Sequence, residues 1–371
     1  MLPLSVLIKP ASGHCNMRCK YCFYADEISH RETPLHDVMD QDTQRLMIER
    51  IFDYADGPCT ICFQGGEPTL AGLSYFRRFV EEAGRYNTKR LPVQYALQTN
   101  GLLVDEEWAD FFAENHFLVG LSIDGPEEIH DRLRRDAKGE GTFKRVMKAA
   151  RILEKHHVEY NVLTVVTAQT ARHISKIYRY FMKNRLVYQQ YMPCLDPLGT
   201  ERGKLEFSLT PEAYLSCLKL LFDEWYRDRM NGEFVFIRDF ENLAGILLGY
   251  QPERCGMSGH CVNQFVIESN GDVYPCDFYT LDPYCLGNLK ESGFAELDAA
   301  CETCGFVRES MKVETKCMDC EWYRICRGGC RRDRQGKELH EIGLNYFCET
   351  YRQFYSYAVP KMLELIRNIQ N

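Results

Sequence analysis

The first half of the chain alternates short apolar segments with amphipathic ones, and this alternation limits the folds open to it. Six segments have the length and composition of strands: 4–8, 60–64, 93–98, 118–122, 160–166 and 187–192. Helix-like segments separate them, at 43–54, 75–84, 106–115, 143–156 and 174–184. Strands that alternate with helices pair in parallel through right-handed crossovers. Because six such units fall short of the eight in a closed barrel, the sequence predicts an α/β fold with a partial (β/α)6 TIM-type barrel.

The second half has a different character, because 12 of the 18 cysteines lie between Cys217 and Cys348. Helices are predicted at 211–229 and 242–248, and a final amphipathic helix at 351–369. Between them, 264–275 has the pattern of a β-hairpin, with a type I′ turn at Asn270-Gly271. We therefore expect a barrel domain at 1–235, a cysteine-rich domain at 236–348 and a C-terminal helix at 349–371.

Charge and hydropathy exclude several classes of protein. The formal net charge is −8, so no excess of basic side chains is available for binding a nucleic-acid backbone. No apolar run approaches the roughly 18 residues that cross a bilayer, and the N-terminus lacks the pattern of a signal peptide. We expect a cytoplasmic protein with no nucleic-acid or membrane partner. In that compartment, clustered cysteines more often bind metal or react than form disulfides.

Cys15, Cys19 and Cys22 follow the first predicted strand directly, in a C-x3-C-x2-C arrangement. Iron–sulfur clusters normally take four cysteine thiolates. Three thiolates on one tight loop bind three irons of a cubane cluster and leave the fourth open, which indicates a position for substrate or cofactor. The alternative is a zinc site in which His14 is the fourth ligand.

This triplet, followed by the aromatic Phe23, resembles the signature of the radical S-adenosylmethionine enzymes. Gly65-Gly66-Glu67-Pro68 after the second strand resembles their GGEP motif, and polar motifs begin at Gln98 and Ser122, where the third and fourth strands end. Active sites of barrels are built at these carboxyl ends of strands. The four motifs therefore predict one site at this edge of the sheet.

The resemblance implies S-adenosylmethionine chelated to the open iron of a 4Fe–4S cluster and cleaved by one electron to a 5′-deoxyadenosyl radical. It implies that the GGEP motif grips the ammonium group of the cofactor, with Glu67 supplying negative charge. By the same resemblance, the residues that contact the cofactor are Tyr21, Gly66, Glu67, Ser122, Arg134 and Leu195. For Arg134 the alternative is an exposed helix end, because two other arginines lie close to it in sequence.

Eight further cysteines suffice for two closed four-cysteine clusters: Cys255, Cys261, Cys276, Cys317, Cys320, Cys326, Cys330 and Cys348. In two-cluster ferredoxins the last cysteine of a run ligates the other cluster. The same crossover here pairs Cys330 with Cys255, Cys261 and Cys276, and Cys348 with Cys317, Cys320 and Cys326. The pattern resembles the SPASM extension of radical enzymes, which brings the expected total to three 4Fe–4S clusters. The alternative is one or two structural zinc ribbons.

Seven cysteines stand outside these sets. Cys59 and Cys62 fall on a strand, where residues three apart face opposite sides, so core packing is expected. Three others are interpreted as small apolar residues: Cys194, Cys217 and Cys285. Cys301 and Cys304 are interpreted as unligated thiols, with a metal-binding pair as the alternative.

Taken together, the motifs resemble those of the anaerobic sulfatase-maturating enzymes over almost the whole chain. The resemblance implies oxidation of a Cys or Ser in an unfolded sulfatase peptide to Cα-formylglycine, with the second electron leaving through an auxiliary cluster. It also implies that Asp277, beside Cys276, is the general base, since burial can tune such a carboxylate. The alternative for Asp277 is an ordinary turn residue. Tyr24 and Gln64, beside cofactor motifs, are candidate peptide contacts.

Two other functions fit part of the pattern. A SPASM-type maturase of ribosomal peptides, forming thioethers or epimerising residues, has the same clusters, but only 14 residues precede Cys15, where many such enzymes carry a leader-binding domain. A non-catalytic electron carrier or zinc adaptor does not need the open three-cysteine site or the GGEP motif. The favoured function requires a low-potential electron donor of the flavodoxin or ferredoxin type.

Overall fold

The computed structural model describes residues 3–336 and 339–370. The strands in these residues are β1 (Leu4–Lys9), β2 (Cys59–Phe63), β3 (Val93–Thr99), β4 (Leu118–Ser122), β5 (Tyr160–Val166), β6 (Tyr188–Pro193), β7 (Phe236–Ile237), β8 (Val266–Glu268), β9 (Asp272–Tyr274) and β10 (Gly287–Asn288). The strands predicted for the first half are all present. Their observed ends lie within two residues of the predicted ones.

The α-helices in the same residues are α1 (Phe23–Ser29), α2 (Gln41–Tyr54), α3 (Leu73–Tyr86), α4 (Glu106–Glu114), α5 (Glu127–Leu133), α6 (Phe143–Lys155), α7 (Ala168–Arg172), α8 (Ile174–Lys183), α9 (Pro211–Met230), α10 (Arg238–Leu247), α11 (Phe294–Cys304), α12 (Phe306–Ser310), α13 (Thr315–Met318), α14 (Tyr323–Cys326), α15 (Arg331–Arg334) and α16 (Cys348–Gln370). Every predicted helix is confirmed. None of the helices in the described part of the chain is long and apolar enough to cross a membrane.

Local sequence explains where several helices begin. Asp40 caps α2 by accepting a hydrogen bond from the backbone nitrogen of Thr43 at 2.7 Å. Thr210 caps α9 in the same way, and Pro211 occupies its first position, where the missing N–H costs nothing. The short helix α1 was not predicted. It begins directly after Cys22, whose thiol accepts from the backbone nitrogen of Ala25 at 3.4 Å.

The chain divides into two compact units, each assembled from separate segments. The first contains the chain up to Ser122, Arg134–Tyr160 and Val262–Phe306. Its strands lie in the order β10-β9-β8-β1-β2-β3-β4, parallel from β8 to β4 and antiparallel from β8 to β10. Apolar side chains from β2 and α3 form its aromatic core, in which Phe63 contacts Phe76 and Phe79 edge-on.

The second unit contains Ile123–Leu133, Asn161–Cys261 and the chain from Val307 onward. It includes β5 from Asn161 onward, paired in parallel with β6, which pairs in parallel with β7. The long helices α9 and α16 pack together, with Phe222, Phe240 and Phe354 among the rings between them and α10. Parallel strands alternating with helices confirm the predicted α/β class. The consecutive domain boundaries expected from the sequence stay a prediction.

The hairpin predicted at 264–275 is confirmed as β8 and β9, but the type I′ turn is wrong. Such a turn needs positive φ at both central residues. Gly271 has a φ of 96°, whereas Asn270 lies outside the positive-φ region. The loop has three residues, and the backbone nitrogen of Gly271 donates to the carbonyl oxygen of Glu268 at 2.9 Å. The side chain of Asn270 accepts from the backbone nitrogen of Asp272 at 3.1 Å, a hydrogen bond typical of asparagine in turns.

Candidate active site

Cys15, Cys19 and Cys22 lie together in the loop between β1 and α1. The backbone nitrogen of Cys22 donates to the carbonyl oxygen of Cys19 at 3.2 Å, and Cys22 then caps α1. Burial raises the pKa of Cys15 to about 12, and the charges of Glu67, Cys19 and Cys22 add to that rise. Cysteines ligate metal as thiolates, so three thiols on one loop are suitable ligands for three irons of a cubane cluster once their protons are lost. The donor set therefore fits an iron–sulfur cluster.

The glycine-rich motif after β2 packs against this cysteine loop. The backbone nitrogen of Gly66 donates to the carbonyl oxygen of Ser12 at 2.9 Å, and that of Glu67 donates to the carbonyl oxygen of His14 at 2.8 Å. A Cβ at Gly66 would lie 2.2 Å from the carbonyl oxygen of His14. Only glycine allows the two backbones to approach so closely. The cysteine loop and the GGEP motif are therefore one structural unit.

Glu67 is buried, and its carboxylate joins two segments, the one that follows β2 and the one at the end of β3. One oxygen accepts from the hydroxyls of Thr69 at 2.6 Å and Thr99 at 2.7 Å, and the other accepts from the backbone nitrogen of Asn100 at 2.8 Å. Burial raises the pKa of Glu67, which these hydrogen bonds partly offset. The side-chain nitrogen of Asn100 in turn lies 3.8 Å from the sulfur of Cys15. Glu67 thus supports the loops around the cysteines, and its contact with the cofactor stays a prediction.

Four other residues were expected to contact the cofactor. Arg134 is buried, not an exposed helix end, and donates to the hydroxyl of Tyr21 at 2.9 Å. Ser122 ends β4, and its hydroxyl accepts from the side-chain amide of Gln98 at 3.0 Å. These belong to the first unit, whereas Leu195 follows β6 in the second. Their roles stay predictions.

Asp277 lies just beyond the hairpin, held by two side chains from neighbouring strand ends. The ammonium of Lys9 lies 2.5 Å from one carboxylate oxygen, and the side-chain amide of Gln64 donates to the other at 2.7 Å. The Lys9 ammonium also lies 3.6 Å from the centre of the Tyr24 ring. The structure therefore brings together the predicted base and both candidate peptide contacts. Asp277 contacts two side chains that are distant in sequence, and its role as base stays a prediction.

A second buried ion pair, between Arg31 and Glu268, lies next to Tyr24. The hydroxyl of Tyr24 donates to Glu268, and the guanidinium of Arg31 lies 3.1 Å from the same carboxylate oxygen. Burial, followed by the charge of Glu268, raises the pKa of Tyr24 well above its usual value. Tyr24 therefore stays protonated, and it can donate to the carboxylate.

Four of the predicted auxiliary ligands are grouped in the second unit. Burial raises the pKa of Cys326 to about 11, and the charges of Cys348, Cys317 and Cys320 add to that rise. These four thiols form the second group predicted from the sequence. Their ligation of a cluster stays a prediction.

Three of the other four predicted auxiliary ligands also lie in the second unit: Cys255, Cys261 and Cys330. Burial raises the pKa of Cys330, and the charges of Cys255 and Cys261 contribute to the rise. The backbone nitrogen of Cys261 also donates to the hydroxyl of Ser310 at 2.8 Å. Cys276, the fourth predicted ligand, lies in the first unit beside Asp277. The crossover pairing stays a prediction.

Within residues 3–336 and 339–370, no group of three or more His, Cys, Asp or Glu side chains is arranged to hold a single metal ion. The thiols around a cubane cluster are spaced more widely, because each one binds a different iron.

Two family models match the chain. The one for the radical SAM superfamily matches residues 10–181, and the one for an iron–sulfur cluster-binding domain, SPASM, matches residues 259–321. A cysteine-type anaerobic sulfatase-maturating enzyme of Clostridium perfringens is 47% identical over 370 residues, covering 100% of both chains. The chain belongs to the anaerobic sulfatase-maturating enzymes. A serine-type member of the same family, from Bacteroides thetaiotaomicron, is 32% identical over 100% of this chain and 92% of its own length.

A solved structure of an anaerobic sulfatase-maturating enzyme, native anSMEcpe with bound AdoMet and Kp18Cys peptide, superposes with a TM-score of 0.95. It is 46% identical, and the match covers 99% of this chain and 100% of that chain. The fold and the family predicted from the sequence are both confirmed.

Sequence reasoning missed three residues that surround the predicted site residues Asp277 and Tyr24: Lys9, Arg31 and Glu268. A signal was present for two of them, since Lys9 and Glu268 each end an apolar strand. The carboxyl ends of barrel strands point toward the site. Arg31 follows α1 and gives no comparable signal.

The remaining cysteines divide by burial. Cys59, Cys194 and Cys217 are buried, as expected for small apolar residues. Cys285, also interpreted as a small apolar residue, is exposed. It follows a short 3₁₀ helix at Asp282–Tyr284, which places it at the surface. In α11 Cys301 is buried and Cys304 is exposed.

Gly66→Ala is expected to disrupt the cysteine loop. The added methyl group would overlap the carbonyl oxygen of His14, so one backbone must move. Overpacking of this kind costs roughly 1–3 kcal/mol. We expect the reconstituted variant to lose about four irons and S-adenosylmethionine cleavage, measured as iron per chain and 5′-deoxyadenosine formed.

The matched control is Gly84→Ala in α3, where a Cβ meets no atom within 4 Å. Alanine favours a helix more than glycine does, so this variant should keep its iron and activity. Full iron content in Gly66→Ala would contradict the close packing assigned to Gly66.

Proposed function

We propose that this chain oxidises a cysteine in an unfolded sulfatase peptide to Cα-formylglycine. The observation that carries the proposal is the Asp277 carboxylate, held between Lys9 and Gln64 beside Cys276, in a chain of this family. When bound, S-adenosylmethionine and its cluster would supply the radical that removes a hydrogen atom from the substrate Cβ, and an auxiliary cluster would accept the second electron. Asp277 takes the proton from the substrate sulfur, because its carboxylate lies beside the expected cluster ligand Cys276 and is held by Lys9 and Gln64.

The choice of cysteine over serine rests on sequence similarity. This chain is more similar to the cysteine-type members of the family than to the serine-type members. We propose as the electron donor a low-potential flavodoxin- or ferredoxin-type protein, and a cytoplasmic location where both donor and unfolded sulfatase are available.

The test is anaerobic incubation of the reconstituted protein with S-adenosylmethionine, a reductant and matched peptides that differ only in Cys or Ser at the target position. Mass spectrometry should detect formylglycine in the Cys peptide. If the Ser peptide is also converted, its rate should be lower than that of the Cys peptide. A thioether or an epimerised residue as the main product would instead support the ribosomal-peptide maturase.

A further inference from the structure

Lys9 is a lysine with no exposed surface, at the end of β1. Its aliphatic part packs against the GGEP motif, since a Cβ at Gly65 would lie 3.2 Å from Cβ and 3.3 Å from Cγ of Lys9. Burying an ammonium is costly unless it is paired. The position of this side chain is therefore fixed by its backbone, by Gly65 and by the partner of its charge.

The partner is Asp277, which lies 2.5 Å from the ammonium. The pair is buried, with side-chain exposures of 0% for Lys9 and 11% for Asp277. The Tyr24 ring covers another side of the ammonium at 3.6 Å, in the geometry of a cation–π contact. The ammonium is thus enclosed by one carboxylate and one aromatic face.

The sheet explains why these residues meet. β1 pairs in parallel with β2 on one side and β8 on the other, with Ile8 opposite Phe63 and Lys9 opposite Glu268. Gln64 follows β2 directly, and the hairpin from β8 leads to Asp277. The parallel strands β1 and β2 thus bring an ammonium and an amide to one edge of the sheet, and the chain beyond the antiparallel strand β9 brings the Asp277 carboxylate to them.

The residues behind Tyr24 hold its ring in place. Its hydroxyl donates to Glu268, which also receives the guanidinium of Arg31 at 3.1 Å. Arg31 in turn donates to the carbonyl oxygen of Thr280, three residues after Asp277. The Tyr24 ring therefore cannot turn away from the ammonium without breaking a buried hydrogen bond.

We propose that Lys9 is a positioning residue for the reaction, which aims the Asp277 carboxylate at the substrate sulfur and links it to the GGEP motif. The inference rests on the proposed function of Asp277 as base. Lys9 and Gln64 each engage one carboxylate oxygen, so the carboxylate plane cannot rotate. The lone pair left over on each oxygen then has a fixed direction. A misplacement of about 1 Å can cost 10²-fold in rate, so loss of Lys9 should impair proton removal specifically.

The test compares Lys9→Met with the wild-type protein, using 5′-deoxyadenosine and formylglycine measured in the same reaction. Methionine keeps the length and apolar character of the side chain but has no charge. We expect cofactor cleavage to continue and formylglycine per 5′-deoxyadenosine to fall about 10–100-fold. The matched control is Lys89→Met, which removes a lysine of the same unit that binds the carbonyls of Asp53 and Ala55, and should leave the ratio unchanged.

A double variant separates positioning from a merely structural role. If Lys9 acts through Asp277, then Lys9→Met in an Asp277→Asn background should lower the ratio little further than Asp277→Asn alone. Independent, additive losses would overturn the proposal, and so would a wild-type ratio in Lys9→Met. Lys9→Gln, which can still donate to Asp277, should recover part of the ratio.

Two further outcomes are decisive. Loss of cluster iron in both Lys9→Met and Lys9→Gln would make Lys9 a residue of the fold and overturn the proposal. If the wild-type protein cleaves the cofactor but forms no formylglycine from either peptide, the proposed function fails instead, whatever the variants do.

Discussion

Replacing Cys15, Cys19 and Cys22 together by alanine is expected to abolish cleavage of S-adenosylmethionine. The three thiols are the ligands assigned to the cluster with the open iron, and no 5′-deoxyadenosine can form without it. About four of roughly twelve irons per chain should be lost, while the two closed clusters persist. Iron analysis of the reconstituted protein and chromatography of the reaction products provide the measurements.

The control for this variant is Cys285→Ala, because Cys285 is exposed and lies outside the predicted ligand sets. It should keep all the iron and the full rate of cofactor cleavage. Iron for only one cluster in the intact protein, or zinc at the C-terminal cysteines, would contradict the three-cluster prediction.

Asp277→Asn is expected to separate cofactor cleavage from product formation. Asparagine keeps the size of the side chain but cannot accept the substrate proton. It also places an uncharged amide beside the buried ammonium of Lys9. Loss of a general base typically costs about 10²–10⁴-fold, so formylglycine should fall by this factor while 5′-deoxyadenosine is still made. Both products are measured in one anaerobic reaction.

Asp282→Asn is the matched control, since Asp282 is exposed and its carboxylate accepts a hydrogen bond from the backbone nitrogen of Glu32 at 2.8 Å. It should retain both products. Wild-type rates of both in Asp277→Asn would mean that another group is the base. Loss of both, together with cluster iron, would place Asp277 in the support of Cys276 instead.

The secondary structure of the first half was predictable because its signals are local. Each strand is a short apolar run, and each helix repeats apolar residues along one face. The hairpin turn shows the limit of such signals. Asn270-Gly271 is typical of a two-residue turn, but the register of β8 and β9 leaves a loop of three residues, and register depends on the pairing of the strands.

The predicted site residues also depended on local patterns. Cysteine spacing and the GGEP motif identified the N-terminal loop, because the three ligands predicted for one cluster lie close in sequence there. The same reasoning gave Asp277 only through the resemblance to the family. It named Gln64 as a candidate peptide contact, but it did not predict that Lys9 and Gln64 contact Asp277. Lys9 and Gln64 lie 268 and 213 residues from Asp277 along the chain. No local pattern records a contact of that range.

The sequence by itself therefore determined the α/β class, the family and the cysteines assigned to the clusters, since periodicity and motif spacing are properties of short segments. Only the tertiary structure decided that Gly66 touches the cysteine loop, that Glu67 is already bound within the protein, and that Lys9 meets Asp277. The physical reason is that these contacts depend on strand pairing: β1 and β2 are parallel, so Lys9 and Gln64 lie side by side, and the chain beyond the antiparallel strand β9 returns to them with Asp277. A charge buried at that edge is stable only beside its partner.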